Sequence, residues 1–327
     1  MRFCLALLTA LASAGNLFAQ DSAFILGTGR PVIRPDGTYL FNHVPRSDLV
    51  FEAQLAPRII ILDSIGKAAR TVLDEPRGAW GWTLATSPMV RLRMFNEASS
   101  PVRTPSYMPK AILQVAHLKN VSRSDDEDER LRGPVAMWLL DTTPFGHHSN
   151  GQNGSLFTSS GAVNKTDGSF STNYLEATIA YGRMHLVARD DVPEYGTRWE
   201  WRTGVGVQLN PRGFLGGGID EELADIYGRT RIGIEAMAAR RDWWRCGRLE
   251  GQFRAQYIHD KPAGVPRITT VAESSCLPSK WGGAGLFVRL YRGQDYYNLG
   301  FAERITRLQF GITLQQATFV SFRIPPL

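Results

Sequence analysis

The sequence predicts an all-β protein, an antiparallel transmembrane β-barrel, and three observations carry that expectation. Segments of about ten residues, the tilted span of a bilayer, alternate apolar and polar side chains with a period of two. Their polar faces hold large charged residues of both signs, as a barrel lumen does. Beyond the N-terminus, no stretch approaches the ~18 continuous apolar residues that a spanning helix requires, so any membrane passage falls to a closed barrel.

The chain opens on Arg2, an apolar stretch from Phe3 to Ala14, then small residues and Gln20-Asp21. That is the layout of a cleavable export signal over residues 1–19, cut after Ala14 or Ala19. Cys4 lies inside the removed part. Residues 20–327 read as a single outer-membrane barrel domain, without linker or repeat of fixed period. Lys plus Arg outnumber Asp plus Glu by 37 to 31, and the excess is spread along the chain. Such a spread suits a lumen or anionic lipid better than nucleic acid, which is not an expected partner.

Trp199 to Leu209 sets Trp199, Trp201, Val205, Val207 and Leu209 against Glu200, Arg202 and Gln208. The segment from Arg229 to Ala238 sets Ile232, Ile234 and Ala236 against Arg229, Arg231 and Glu235. Arg248 to Tyr257 and Arg307 to Gln315 repeat the pattern. Aromatic pairs near strand ends, Trp80 with Trp82, Trp243 with Trp244 and Tyr296 with Tyr297, fit interfacial girdles. A soluble sandwich would alternate too, and it is the competing architecture. Turn clusters at Arg34-Pro35-Asp36-Gly37, Asp191 to Gly196 and Lys261 to Gly264 punctuate the strands. The acidic run Asp125 to Glu129 lacks the spaced ligands and glycine of a calcium loop and reads as a solvated connection. Cys246 and Cys276 either pair, worth roughly 3 to 4 kcal/mol by loop entropy, or stay as two buried thiols.

Chemistry concentrates in Gly146-His147-His148-Ser149-Asn150-Gly151-Gln152, which follows the apolar stretch from Val135 to Leu140. In a strand, His147 and Ser149 project from one face about 6.5 to 7 Å apart. A serine hydroxyl becomes a nucleophile when a nearby imidazole takes its proton, and a third group must hold that imidazole in its tautomer. Asn173 is the candidate, sharing a strand face with Leu175, Ala177, Ile179 and Tyr181. In a barrel an apolar face looks at lipid, so Asn173 is expected outside. Val135, Met137 and Leu139 share parity with His147 and Ser149, while Trp138 and Leu140 make both faces of that strand apolar and leave its register open. His148 is expected to face lumen or solvent, and a zinc site on His147 and His148 is disfavoured because adjacent strand residues diverge.

These residues bring a resemblance with them. GHHSNGQ followed by SFSTNYL (169–175) resembles the active-site strand pair of the outer-membrane phospholipase A family, a twelve-stranded barrel with a His, Ser, Asn triad on its outer surface. ASSPVRTPSYMP, from Ala98 to Pro109, is similar to the family's Ser-Ser-Pro-x-Arg segment and its Tyr-x-Pro. Weaker similarity runs from about Tyr39 through DLVFEAQLA to RLYRGQDYYNLGF. The resemblance implies Ser149 as nucleophile, His147 as base and Asn173 as the group orienting it. It implies a calcium-dependent phospholipase A1, with A2 and lysophospholipase activity, acting on glycerophospholipids of the outer membrane as a homodimer. Calcium would sit at the subunit interface and its water would serve the oxyanion hole. The matched positions are Ser99, the main-chain carbonyl of Gln152, Ser169 counted back from Asn173, and Asp220 after a one-residue gap.

Two departures accompany it: a longer connection between Ser149 and Asn173, and an ending FVSFRIPPL whose Pro325-Pro326 cannot continue a paired strand beyond Phe319 or Phe322. The rival functions are a catalytically silent barrel, acting as channel or scaffold, and a soluble secreted esterase on a sandwich.

Overall fold

The computed structural model describes residues 38–44, 49–74, 77–96, 102–121, 134–185, 199–219, 221–244, 246–259, 267–278, 281, 284–314 and 318–321. The expected signal segment, the acidic run, the three turn clusters, Ser99, Asp220 and Pro325-Pro326 all lie outside them.

Strands β1 (Thr38–Val44), β2 (Leu49–Leu55) and β3 (Arg58–Asp63) precede helix α1 (Ile65–Asp74). Then come β4 (Ala79–Phe95), β5 (Ser106–Asn120), β6 (Pro134–Ser149), β7 (Ser171–His185) and β8 (Trp199–Leu209). Helix α2 (Glu221–Tyr227) leads into β9 (Thr230–Trp243), β10 (Cys246–Ile258), β11 (Ile268–Leu277), β12 (Ala284–Gln294), β13 (Arg304–Leu314) and β14 (Thr318–Ser321). From β4 to β13 every strand pairs antiparallel with the next. β13 pairs with β1, β1 with β2, and β2 and β3 lie end to end along β4, which closes the sheet. With β2 and β3 as one stave, this is the expected barrel of twelve. β14 is additional, lying parallel to β3, so the strand containing Phe319 joins the barrel from the side.

The alternation resolves as expected. Val205, Val207, Ile232, Ile234, Leu308 and Phe310 are exposed on the outside. Their polar neighbours meet in the lumen as Arg202–Glu235 at 3.1 Å, Arg248–Glu200 at 2.5 Å and Arg289–Glu273 at 2.6 Å. Burying these charges is tolerable because each has an opposite partner. A sandwich would reverse the arrangement, with its apolar faces on a shared core.

The two ends differ. The connections β6–β7, β8–β9 and β12–β13 gather at one, here the loop end, and α1 fills the other, the helix end. All eight tryptophans are exposed, and all lie toward the helix end: Trp80, Trp82, Trp138, Trp199, Trp201, Trp243, Trp244 and Trp281. They form the girdle expected of aromatic strand ends. Tyr296 and Tyr297 do not belong to it. Tyr297 is buried, and Tyr296 turns inward to donate to Glu52 Oε1 at 2.9 Å, because the β12–β13 connection folds into the barrel mouth.

α1 was not expected. Asp63 Oδ1 accepts from the Ile65 N–H at 3.1 Å, capping its first turn, and Ile65, Ala68, Ala69 and Val72 form one buried stripe. That stripe packs inside the barrel on Leu118, Val135, Met137, Leu139, Ala180 and Met184. A Cβ at Gly81 would lie 2.6 Å from Ile65 Cα, so the wall needs glycine there. Cys246 and Cys276 form a disulfide between β10 and β11, which decides between the two expected states.

Candidate active site

Local geometry around the site begins with Pro144. β6 pairs Thr143 with Glu176 of β7, then Gly146 with Tyr174, so one extra residue is accommodated between them. Proline has no N–H for the ladder and is tolerated at such bulges. Below the bulge, Val135, Met137 and Leu139 point into the lumen and are buried, whereas Trp138 and Leu140 are exposed. Above it, His148 is the buried residue and His147 and Ser149 face outward. The shared odd numbering is therefore not a shared face. One inserted residue reverses the pleat, which settles the register that the sequence left open and sets His147 and Ser149 on the face opposite Val135, Met137 and Leu139.

Asn173 pairs directly with His147 across β6 and β7, on the outer face as expected. Its amide is buried because the β8–β9 connection folds over it. Asn173 Nδ2 donates to the carbonyls of Phe214 at 2.8 Å and Gly217 at 3.1 Å. These acceptors assign the amide orientation, so Oδ1 faces the imidazole, 2.7 Å from His147 Nδ1. Nδ1 is then the protonated nitrogen of neutral His147, and the Nε2 lone pair is available as a base. A Cβ at Gly217 would come within 2.9 Å of Asn173 Nδ2, so only glycine brings that carbonyl so close. Phe214 and Gly217 were not anticipated; the Gly216-Gly217-Gly218 run signals a loop but not its destination.

Ser149 lies two residues from His147 on the same face. Among the described residues no hydrogen bond joins the two side chains, so the imidazole is oriented by Asn173 while the serine hydroxyl is free. Such contacts are commonly loose before substrate binds. Tyr107 of β5 stands opposite Ser149 and is exposed beside it.

Asn150 is fully buried and organises the β6–β7 loop. Its two Nδ2 hydrogens are shared among Gly168 O at 2.7 Å, Asn298 Oδ1 at 2.8 Å and Gln152 Oε1 at 2.9 Å, and its Oδ1 accepts from Phe170 N at 3.0 Å. The longer connection folds away as a small hairpin, with Phe157 bridged to Val163 and the Thr158 N–H donating to Ala162 O at 2.9 Å. At its base the Ser169 N–H donates to Gly154 O at 2.8 Å, which brings Ser169 back beside the segment carrying Gln152. The Gln152 side chain is consumed inside the loop, Nε2 donating to Thr166 O at 3.0 Å.

Beneath the site, His148 meets the Tyr227 hydroxyl at 3.2 Å and stands perpendicular to the Phe170 ring, centroids 4.7 Å apart. Phe170, Ile219, Leu223, Ala224, Tyr227, Leu299 and Phe301 join three connections into one apolar cap. His147 and His148 point to opposite sides of the wall and do not converge on one ion. The β12–β13 connection is anchored by Asp295, which receives Arg93 Nη1 at 2.7 Å and Nη2 at 2.8 Å, while Arg93 Nε donates to Glu52 at 2.6 Å.

No family model matches the chain, and no curated protein matches it. Among solved structures, it is similar to the outer membrane phospholipase A of Escherichia coli, at 13% identity and a TM-score of 0.49, over 88% of this chain and 98% of that one. It is also similar to the Salmonella typhi outer membrane phospholipase dimer with bound calcium, at 14% identity and a TM-score of 0.47, over 89% and 95% of the two chains.

Proposed function

We propose that this protein is a calcium-dependent phospholipase A of the outer membrane, hydrolysing acyl esters of glycerophospholipids with Ser149, His147 and Asn173. The observation that carries this reading is the His147–Asn173 contact on the lipid-facing side of a barrel, with the amide pinned by two carbonyls and Ser149 on the same face. A structural histidine has no need of an orienting partner outside the wall. An ester delivered sideways from the bilayer would meet Ser149 without leaving the apolar phase.

In the mechanism, Ser149 Oγ attacks the ester carbonyl while His147 Nε2 takes the hydroxyl proton. The imidazolium is steadied by Asn173 Oδ1, a neutral acceptor that avoids placing a carboxylate at the lipid boundary. His147 then returns the proton to the leaving alcohol. Water, deprotonated by the same nitrogen, releases the fatty acid and restores Ser149.

The proposed calcium positions are Ser99, Gln152, Ser169 and Asp220. The Gln152 carbonyl and Ser169 hydroxyl are hard oxygen donors at the base of one loop, the class calcium takes, and Asp220 would add the charge. Bound there, the ion would supply positive charge near the developing oxyanion. Its placement between two subunits would make the homodimer the active form.

The test is fatty acid release from phospholipid micelles by detergent-solubilised protein, with and without calcium. Wild type should depend on calcium, and Ser149→Ala should lose activity by at least three orders of magnitude. Equal release by Ser149→Ala would refute the assignment, and a chelator without effect would remove the metal.

A further inference from the structure

Away from the catalytic face, the outer wall of β9 to β13 holds an apolar groove of about 570 Å³. Phe253 and Leu290 flank Ala272 in one row, which Leu308 continues, and these large side chains make its walls. In the next row toward the helix end, Ala238, Gly251 and Ser274 make its floor. One row toward the loop end the chemistry changes. Thr270, Arg292 and Thr306 are paired in register, and Arg304 follows one row further out. Arg292 and Arg304 sit on diagonal positions of adjacent strands, about 7 to 8 Å apart at Cβ, so both guanidinium groups can reach one phosphate. Both are exposed, and among the described residues neither side chain has an ion pair or hydrogen bond. Glu303, the neighbouring acid, is taken by Lys165.

An isolated lipid-facing arginine is unfavourable unless an anion meets it. All eight tryptophans occupy the opposite interface, and this rim carries the two arginines together with the exposed Tyr257 of β10. The face spans four inter-strand spacings, about 19 Å, which is broader than a two-chain lipid. We propose that this face binds lipid A, the phosphorylated multi-acyl anchor of lipopolysaccharide, with a phosphate between Arg292 and Arg304 and an acyl chain in the groove below. The leaflet follows from the outer-membrane part of the reading above; the hydrolytic part is not needed.

The experiment uses the full-length protein in nanodiscs, titrated with purified lipid A and separately with phosphatidylglycerol, bound lipid being counted by native mass spectrometry. Wild type should retain lipid A in preference to phosphatidylglycerol. The Arg292→Ala/Arg304→Ala double variant should bind lipid A at least tenfold more weakly, and Ala238→Trp, which fills the groove two rows away from the arginines, should also weaken it. Folding is checked by the heat-dependent gel shift; if the alanine variant fails it, Arg292→Gln/Arg304→Gln carries the same expectation. Unchanged lipid A binding in the variants, equal retention of phosphatidylglycerol, or disulfide-linked dimers formed through Leu290→Cys at full lipid-free occupancy would each overturn the proposal. No arm measures hydrolysis, so loss of the phospholipase reading leaves this result interpretable.

Discussion

Replacing Asn173 by Asp separates this site from an ordinary serine hydrolase triad, in which a carboxylate is the better orienter. Here the position of the amide nitrogen lies 2.8 Å from Phe214 O and 3.1 Å from Gly217 O. A carboxylate would lose both donated hydrogen bonds, at about 1 kcal/mol each, and would set negative charge against two acceptor oxygens in a buried place. Those two bonds alone amount to about 2 kcal/mol, or roughly 30-fold in the population of the assembled site. Asn173→Asp is therefore expected to hydrolyse phospholipid at least 30-fold more slowly than wild type near neutral pH. It should recover part of the deficit as the pH is lowered and the new carboxyl takes a proton. The assay is fatty acid release against pH at saturating calcium, with limited proteolysis at residues 211–219 reporting whether the covering loop stays down. Activity equal to or above wild type, with unchanged protease protection, would refute the view that the loop carbonyls define the orienter.

Deleting Pro144 removes the bulge, so His147 and Ser149 should turn to the lumen; activity should vanish while the heat-dependent gel shift persists, and retained activity would exclude the bulge as the device that turns them outward. A Cβ at Gly146 would lie 2.2 Å from the Tyr174 ring, so Gly146→Ala should destabilise the barrel by about 1 to 3 kcal/mol in guanidinium titration. Burial alone would raise the Asp295 carboxyl, but the Arg93 guanidinium outweighs it and holds the carboxyl below the usual range. A depressed folded value gives stability that is present above pH ~4 and lost as pH falls through the folded value. Asn in place of Asp295 should thus cost about 3 kcal/mol at pH 7, and that difference should shrink below pH ~4 in the same titration.

Much of the barrel was legible because a pleated strand has a fixed period, and the lumen and the bilayer demand opposite chemistry. Trp199 to Leu209 coincides with β8, and its two faces separate as its spelling requires. The pleat of β6 stayed open in the sequence because parity does not carry across Pro144, a residue whose missing N–H is itself the cue for a bulge. α1 was legible in principle, since Ile65, Ala68, Ala69 and Val72 have helical spacing, but a segment so short is easily absorbed into a strand-rich pattern. Tyr296 and Tyr297 were assigned to the girdle because an aromatic pair at a strand end looks the same whether its loop turns outward or in. At the site, spacing and resemblance singled out His147, Ser149 and Asn173, and the structure joins His147 to Asn173 with Ser149 on the same outer face. The carbonyls of Phe214 and Gly217 were not legible, since main-chain acceptors carry no residue identity. Asn150 was within the quoted motif, yet its role as the hub of a loop depends on contacts as distant as Asn298.

The central claim is that Ser149 is an activated nucleophile on the outer wall. A fluorophosphonate probe tests it directly, because its P–F bond is displaced only by a serine whose proton a neighbouring base removes. Peptide mass spectrometry of labelled protein should find the phosphonyl group on Ser149, with fluoride released in equal amount and labelling abolished in His147→Ala. An unlabelled Ser149 in protein that still releases fatty acid, or labelling that survives loss of His147, would contradict the account.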